Sequence, residues 1–131
     1  MRIFFDTNVL VSSFMSRGVS HEVFQLALSS HTVLTGELNL RELRRVLAGK
    51  FEVPNELIAE FEFILRERNI VKDSPLEVSF KIRDPDDEGV LAAAMSCRAD
   101  VLVTGDQDLL ECADKVAIRI CSPRQLWQML Q

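Results

Sequence analysis

Short apolar runs alternate along this chain with segments whose apolar residues recur at helical spacing. RIFF at 2–5, HTVLT at 31–35, VLVT at 101–104 and AIRIC at 117–121 read as strands, and Ile70 and Val71 as a brief one. A helix is expected from Ser20, where Val23, Phe24, Leu26, Ala27 and Leu28 form an apolar stripe. Another covers 37–48, with Leu40, Leu43, Val46 and Leu47 on one face and Gly49 as its stop. Pro54 opens a third, PNELIAEFEFILRER, with Leu57, Ile58, Phe61, Ile64 and Leu65 on its apolar side and Asn69 at its end. Asp84 and Pro85 look like the cap and first residue of a helix reaching about Arg98, and Ser122 and Pro123 introduce a last one carrying Leu126, Trp127, Met129 and Leu130. KDSPLEVSFKIR is ambiguous, because Leu76, Val78, Phe80 and Ile82 alternate as a half-buried strand would. Strands joined by helices run parallel, and the helices cover both faces of their sheet.

Ligand sites in such sheets gather outside the carboxyl ends of the strands. Asp6 stands there, interrupting Ile3, Phe4, Phe5 and then Val9, Leu10, Val11, a run that otherwise reads as a buried strand continuing into an apolar segment. A buried carboxylate needs a turn, a hydrogen-bond network, a basic partner or a metal ion to compensate its desolvation. Asp106 directly follows VLVTG, Asp86 and Asp87 begin the helix before that strand, and Glu42 projects from the edge of an apolar stripe, away from Arg41, Arg44 and Arg45. Each acid alone also has a local explanation. Asp6 can start a turn with Thr7 and Asn8, Asp86 and Asp87 can complement a helix dipole, Asp106 can cap a short GDQDLL helix, and Glu42 can pair with Arg41 or Arg45. If the fold brings these acids together, their repulsion raises their pKa values or calls for a cation. Carboxylates alone are hard oxygen ligands, suited to Mg²⁺ or Mn²⁺ and not to zinc, and such ions support phosphodiester hydrolysis.

The bulk properties narrow the partners. At 131 residues with 47% hydrophobic content, residues 1–131 are expected to form a single domain with a real core. Net charge is −5 and the isoelectric point about 5.0, so bulk positive charge cannot grip nucleic acid. The densest basic stretch runs from Arg41 to Lys50, with Arg41, Arg44 and Arg45 as candidates for nucleic-acid contact against a plain reading as a solvated helix face. Cys97, Cys112 and Cys121 are an odd set without metal-ligand spacing, which suggests a reducing cytoplasm, and no signal-peptide core or membrane span is evident. His21 and His31 fit local hydrogen bonding, with no Ser/His/Asp or Cys/His order. Trp127, among Leu126, Met129 and Leu130, suits a core or an interface.

FDTNVLVSSF, RELRRVL, DPDDEGVLAAAM and VLVTGDQDLL, in that order, resemble the motifs of the PIN domain family, in particular VapC-like toxins of type II toxin–antitoxin pairs. The resemblance implies a three-layer α/β/α fold with a central parallel sheet of about five strands. It implies Mg²⁺- or Mn²⁺-dependent endoribonuclease activity, with Asp6, Glu42, Asp87 and Asp106 holding metal, Asp108 near it, and Thr7, Asn8 and Thr104 orienting ligands or water. Asp86, Asp87 and Glu88 are consecutive, so the third acid's register is open by one residue. The implied partners are an RNA substrate, a cognate antitoxin that presents an arginine to the carboxylates, and a second copy in a homodimer or higher oligomer. Two alternatives are a PIN-like adaptor without catalysis and, from DTNVL, a haloacid-dehalogenase-like phosphatase. The latter lacks its second aspartate, since Asn8 stands there.

Overall fold

The computed structural model describes residues 1–71 and 85–131. KDSPLEVSFKIR and the Asp84 cap lie outside the described residues. Five strands, β1 (Arg2–Phe5), β2 (Thr32–Gly36), β3 (Asn69–Val71), β4 (Val101–Val103) and β5 (Arg119–Cys121), form one sheet in the order β3-β2-β1-β4-β5. Every pairing is parallel, as the alternation of elements requires.

Side chains alternate across this sheet and build two cores. Ile3, Phe5, Val33, Val101, Val103 and Cys121 face one way, against α1 (Thr7–Met15), α2 (Val19–Ser30), α3 (Glu37–Gly49), α4 (Asn55–Arg66) and α7 (Pro123–Met129). Phe4, Leu34, Leu102 and Ile120 face the other way, against α5 (Pro85–Ser96) and α6 (Gln107–Leu110). The fold is therefore three-layered, and the strands are buried on both faces, which is why they read as unbroken apolar runs. A capping box at Ser122 and Gln125 starts α7, whose Trp127 packs partly buried against the first core.

The segment after Asp6 is a helix, not an extension of the apolar strand. Asp6 accepts the Thr7 amide at 2.8 Å as N-cap, and Val9 and Leu10 bury against the sheet while Ser13 returns its hydroxyl to the Val9 carbonyl at 2.7 Å. An apolar segment of this length is open between strand and helix, and here the cap and the burial of one face decide for helix. The end of α3 also differs. Gly49 is inside its last turn, and Glu52 takes the left-handed conformation (φ 52°), with the Val53 amide reaching the Leu47 carbonyl at 2.9 Å. Helix α4 stops at Arg66, three residues before Asn69, which instead begins β3. Its apolar residues divide, since Ile58, Phe61 and Leu65 are buried while Leu57 and Ile64 face outward. Arg66 ties the two helices, 2.9 Å from Glu37 and 3.0 Å from Glu62, and Arg44 adds a 3.4 Å pair to Glu62.

Candidate metal centre

The chain leaves β1 through α1 and α2 to reach β2 on one side, and β4 lies on the other. This is the switch point of the sheet, where the loops after β1 and β4 part and leave a crevice. Asp6 sits at the end of β1, its amide donating to the Val103 carbonyl at 3.1 Å, so the two strand ends are locked together.

Asp6 is 4% exposed and engages four donors. Oδ1 accepts the Thr7 amide at 2.8 Å and Asn39 Nδ2 at 3.2 Å; Oδ2 accepts the Thr104 hydroxyl at 2.7 Å and Asn8 Nδ2 at 3.3 Å. Burial nevertheless raises its pKa above the ordinary value, the Thr104 and Thr7 bonds oppose that rise, and the charges of Glu42 and Asp106 add to it. These same bonds set the loop after β4. Thr104 Oγ1 accepts the Asp106 amide at 2.9 Å, and Asn8 Oδ1 accepts the Gly105 amide at 2.8 Å. A methyl group on Gly105 would stand 3.4 Å from Asn8 Oδ1, so the backbone approaches closely there.

Asp106 caps α6 by accepting the Asp108 amide at 2.8 Å, as a local reading of its position allows. It also belongs to a group. One carboxylate oxygen each from Asp87, Asp106 and Asp108 lies within 4.8 Å of the others. Asp87 is 6% exposed in the first turn of α5, whereas Glu88 beside it is partly exposed; the Asp86 side chain lies outside the described residues. Asp106 is thus common to two sets, one with Asp87 and Asp108 and one in which Asp6 feels Glu42 and Asp106. Glu42 is partly buried on α3, half turned inward as its position at the stripe edge suggested. Three converging carboxylates offer only hard oxygen donors, a set that fits a divalent cation such as Mg²⁺ or Mn²⁺.

A family model described as PIN domain matches residues 2–108. The chain belongs to the PIN domain family. Among curated proteins, none matches the sequence significantly. In fold, this PIN domain is similar to the crystal structure of VapBC2 from Rickettsia felis bound to a DNA fragment from its promoter, with a TM-score of 0.63 and 15% identity over 93% of this chain and 98% of that one. It is equally similar to a PilT N-terminus domain protein from the hyperthermophilic archaeon Sulfolobus solfataricus, with a TM-score of 0.62 and 12% identity over 99% of this chain and 93% of that one. At these identities the likeness is one of fold.

The PIN domain's basic candidates part company. Arg44 is turned toward Glu62 on α4, Arg41 contributes to the field that holds the Glu37 carboxyl below its ordinary value, mainly through the bond from Arg66, and Arg45 is exposed. Sequence reasoning missed Asn39, which is fully buried and bonded to Asp6. Its signal was available, because Asn39 lies four and eight residues before Leu43 and Leu47 and so occupies the apolar stripe of α3. His21 satisfies the Ser13 carbonyl at 3.0 Å, a local role.

Proposed function

We propose that this PIN domain is a metal-dependent endoribonuclease and the toxin component of a toxin–antitoxin pair. The observation that carries the reading is the position of Asp106, shared between the Asp87/Asp106/Asp108 group and the pair Asp6 and Glu42, at the switch point of a parallel sheet. Asp87, Asp106 and Asp108 would hold Mg²⁺ or Mn²⁺, with Asp6 and Glu42 supplying further negative charge. When bound, the cation supplies an activated water and neutralises charge that builds on a phosphodiester. Thr104 and Asn8 orient Asp6 and fix the loop that carries Asp106. Arg41 and Arg45 are exposed on the helix that carries Glu42 and would meet the RNA backbone.

Net negative charge and a carboxylate cluster suit a basic antitoxin segment whose arginine makes bidentate bonds to the acids. Leu57, Phe63 and Ile64, exposed on α4, suit a homo-oligomer contact. Cys97, Cys112 and Cys121 are unpaired thiols, consistent with a reducing cytoplasm, and no helix among the described residues is long and apolar enough to cross a membrane. The test is calorimetric titration of metal-stripped protein with Mn²⁺, beside Asp106→Asn, followed by RNA cleavage with the same samples. Asn caps α6 as well as Asp does, so the variant should fold normally while losing both binding and cleavage. Absence of both from the wild type would move the weight to an adaptor without catalysis.

A further inference from the structure

We propose that Asn39 is a positioning residue for the acidic centre, fixing the Asp6 carboxylate and, through α3, the seat of Glu42. The inference rests on the metal-binding reading of that centre.

Asn39 is 0% exposed. Its Nδ2 donates to Asp6 Oδ1 at 3.2 Å and lies 3.0 Å from Thr7 Oγ1, and the Thr7 hydroxyl reaches the Asn39 backbone carbonyl at 3.4 Å. The side chain therefore joins the start of α1 to the start of α3 across the end of β1. Reversing the amide would set its oxygen against the Asp6 carboxylate, so the orientation is dictated by the partners.

The other end of this amide gains nothing for stability. Asn39 Oδ1 is buried and has no hydrogen-bond partner among the described residues. A buried acceptor left in this way is a net cost to the fold, and it calls for a reason other than packing. Leu38 and Leu40 flank the position, and Leu43 and Leu47 continue the stripe into the core, so leucine would suit the helix here. What asparagine supplies is direction. With Thr7 it holds Oδ1 of Asp6, which leaves Oδ2 facing Thr104 and Asn8 on the loop that carries Asp106. Asn39 and Glu42 stand three residues apart on one helix face. A bond that fixes the rotation of α3 at Asn39 consequently fixes how closely the Glu42 carboxylate approaches Asp6, whose charge it already opposes.

The test compares wild type, Asn39→Leu and Asp106→Asn in full-length, metal-stripped protein, measuring melting temperature and then Mn²⁺ affinity by calorimetry. Asn39→Leu should fold, melt somewhat lower because buried Asp6 Oδ1 gives up a donor, and in the folded state bind Mn²⁺ about 10- to 100-fold more weakly, the range of outer-shell substitutions at metal sites. Asn39→Ala, which has no bulk to clash, carries the same comparison if the leucine variant does not fold. A purely structural role would lower the melting temperature of both variants and leave the affinity of the folded protein unchanged, which overturns the assignment. Mn²⁺ binding by wild type, lost in Asp106→Asn and unchanged in the Asn39 variants, removes Asn39 alone. No binding by wild type removes the metal reading and the role of Asn39 with it.

Discussion

The hydroxyl of Thr104 donates to Oδ2 of Asp6 at 2.7 Å, joining residues 98 positions apart in sequence at adjacent strand ends. Thr104 Oγ1 in turn accepts the Asp106 amide at 2.9 Å, so one side chain sets both the orientation of the first acid and the path of the loop bearing another. Thr104 is fully buried. Thr104→Val keeps the shape and removes the hydroxyl, taking the shorter of two donors from Asp6 Oδ2 and the acceptor from the Asp106 amide. It should cost about 1–3 kcal/mol in metal-free denaturant unfolding, and Thr104→Ser should recover most of that. No loss in the valine variant together with a loss in the serine variant would place the effect in the methyl group's packing.

Asp6 gives the molecule a pH signature. Burial lifts its carboxyl above the ordinary value of 3.8, with Glu42 and Asp106 adding to the rise. The folded state then keeps this proton to higher pH than the unfolded chain does. Between the two pKa values the native state binds more protons, so the Asp6 contribution to stability falls as pH rises through that window. Asp6→Asn removes the titration and substitutes a fixed difference in hydrogen bonding. Melting curves in metal-free buffer should show the variant gaining on wild type as pH is raised from about 4 toward neutrality. A constant gap over that range would mean that Asp6 titrates as a solvated acid.

The strands were legible because a sheet covered on both faces needs unbroken apolar runs such as IFF at 3–5, VLT at 33–35 and VLV at 101–103. The acids were legible by place, since Asp6 directly follows such a run and Asp106 stands three residues after the end of another. What hid α1 was its composition. Val9, Leu10 and Val11 read only as an apolar segment, and the contact of the Asp6 side chain with the Thr7 amide, together with the tertiary burial of Val9 and Leu10, decides for helix. For Asn39 the burial was legible from the stripe of α3, but its partners were not. Its partners are an acid and a hydroxyl at the end of β1, and proximity across 33 positions is a property of the sheet order rather than of any local pattern.

The turn after α3 stores a small strain. Glu52 has φ 52° and is exposed, and this left-handed conformation closes the helix with the Val53 amide on Leu47. A side chain in that conformation costs about 1–2 kcal/mol relative to glycine, part of which glycine's greater freedom in the unfolded chain cancels. Glu52→Gly should therefore raise stability by about 0.5–1 kcal/mol in chemical denaturation. Arg98, at φ 57° after α5, offers an independent repeat of the measurement. No gain at either position would show that contacts of the native side chains offset the strain.

Helix α4 carries the most exposed large apolar side chain of the described residues, Phe63 at 64%, with Leu57 at 45% and Ile64 at 43% beside it. The inner face of α4 is already committed, because Ile58, Phe61 and Leu65 are in the core. An apolar outer face is therefore a surface without a structural task among the described residues, and its burial between two copies would account for it. Phe63→Lys tests this cleanly. Lysine stands three residues after Glu60 and four before Glu67, so it suits the helix, and the buried face is untouched. Across a two-fold interface each dimer loses two phenylalanine contacts, and removing about 1.5–3 kcal/mol for each should weaken the dimer by at least about 100-fold. Sedimentation should then show wild type dimeric and Phe63→Lys monomeric, with circular dichroism unchanged. A monomeric wild type would leave the outer face of α4 for a partner of another sequence.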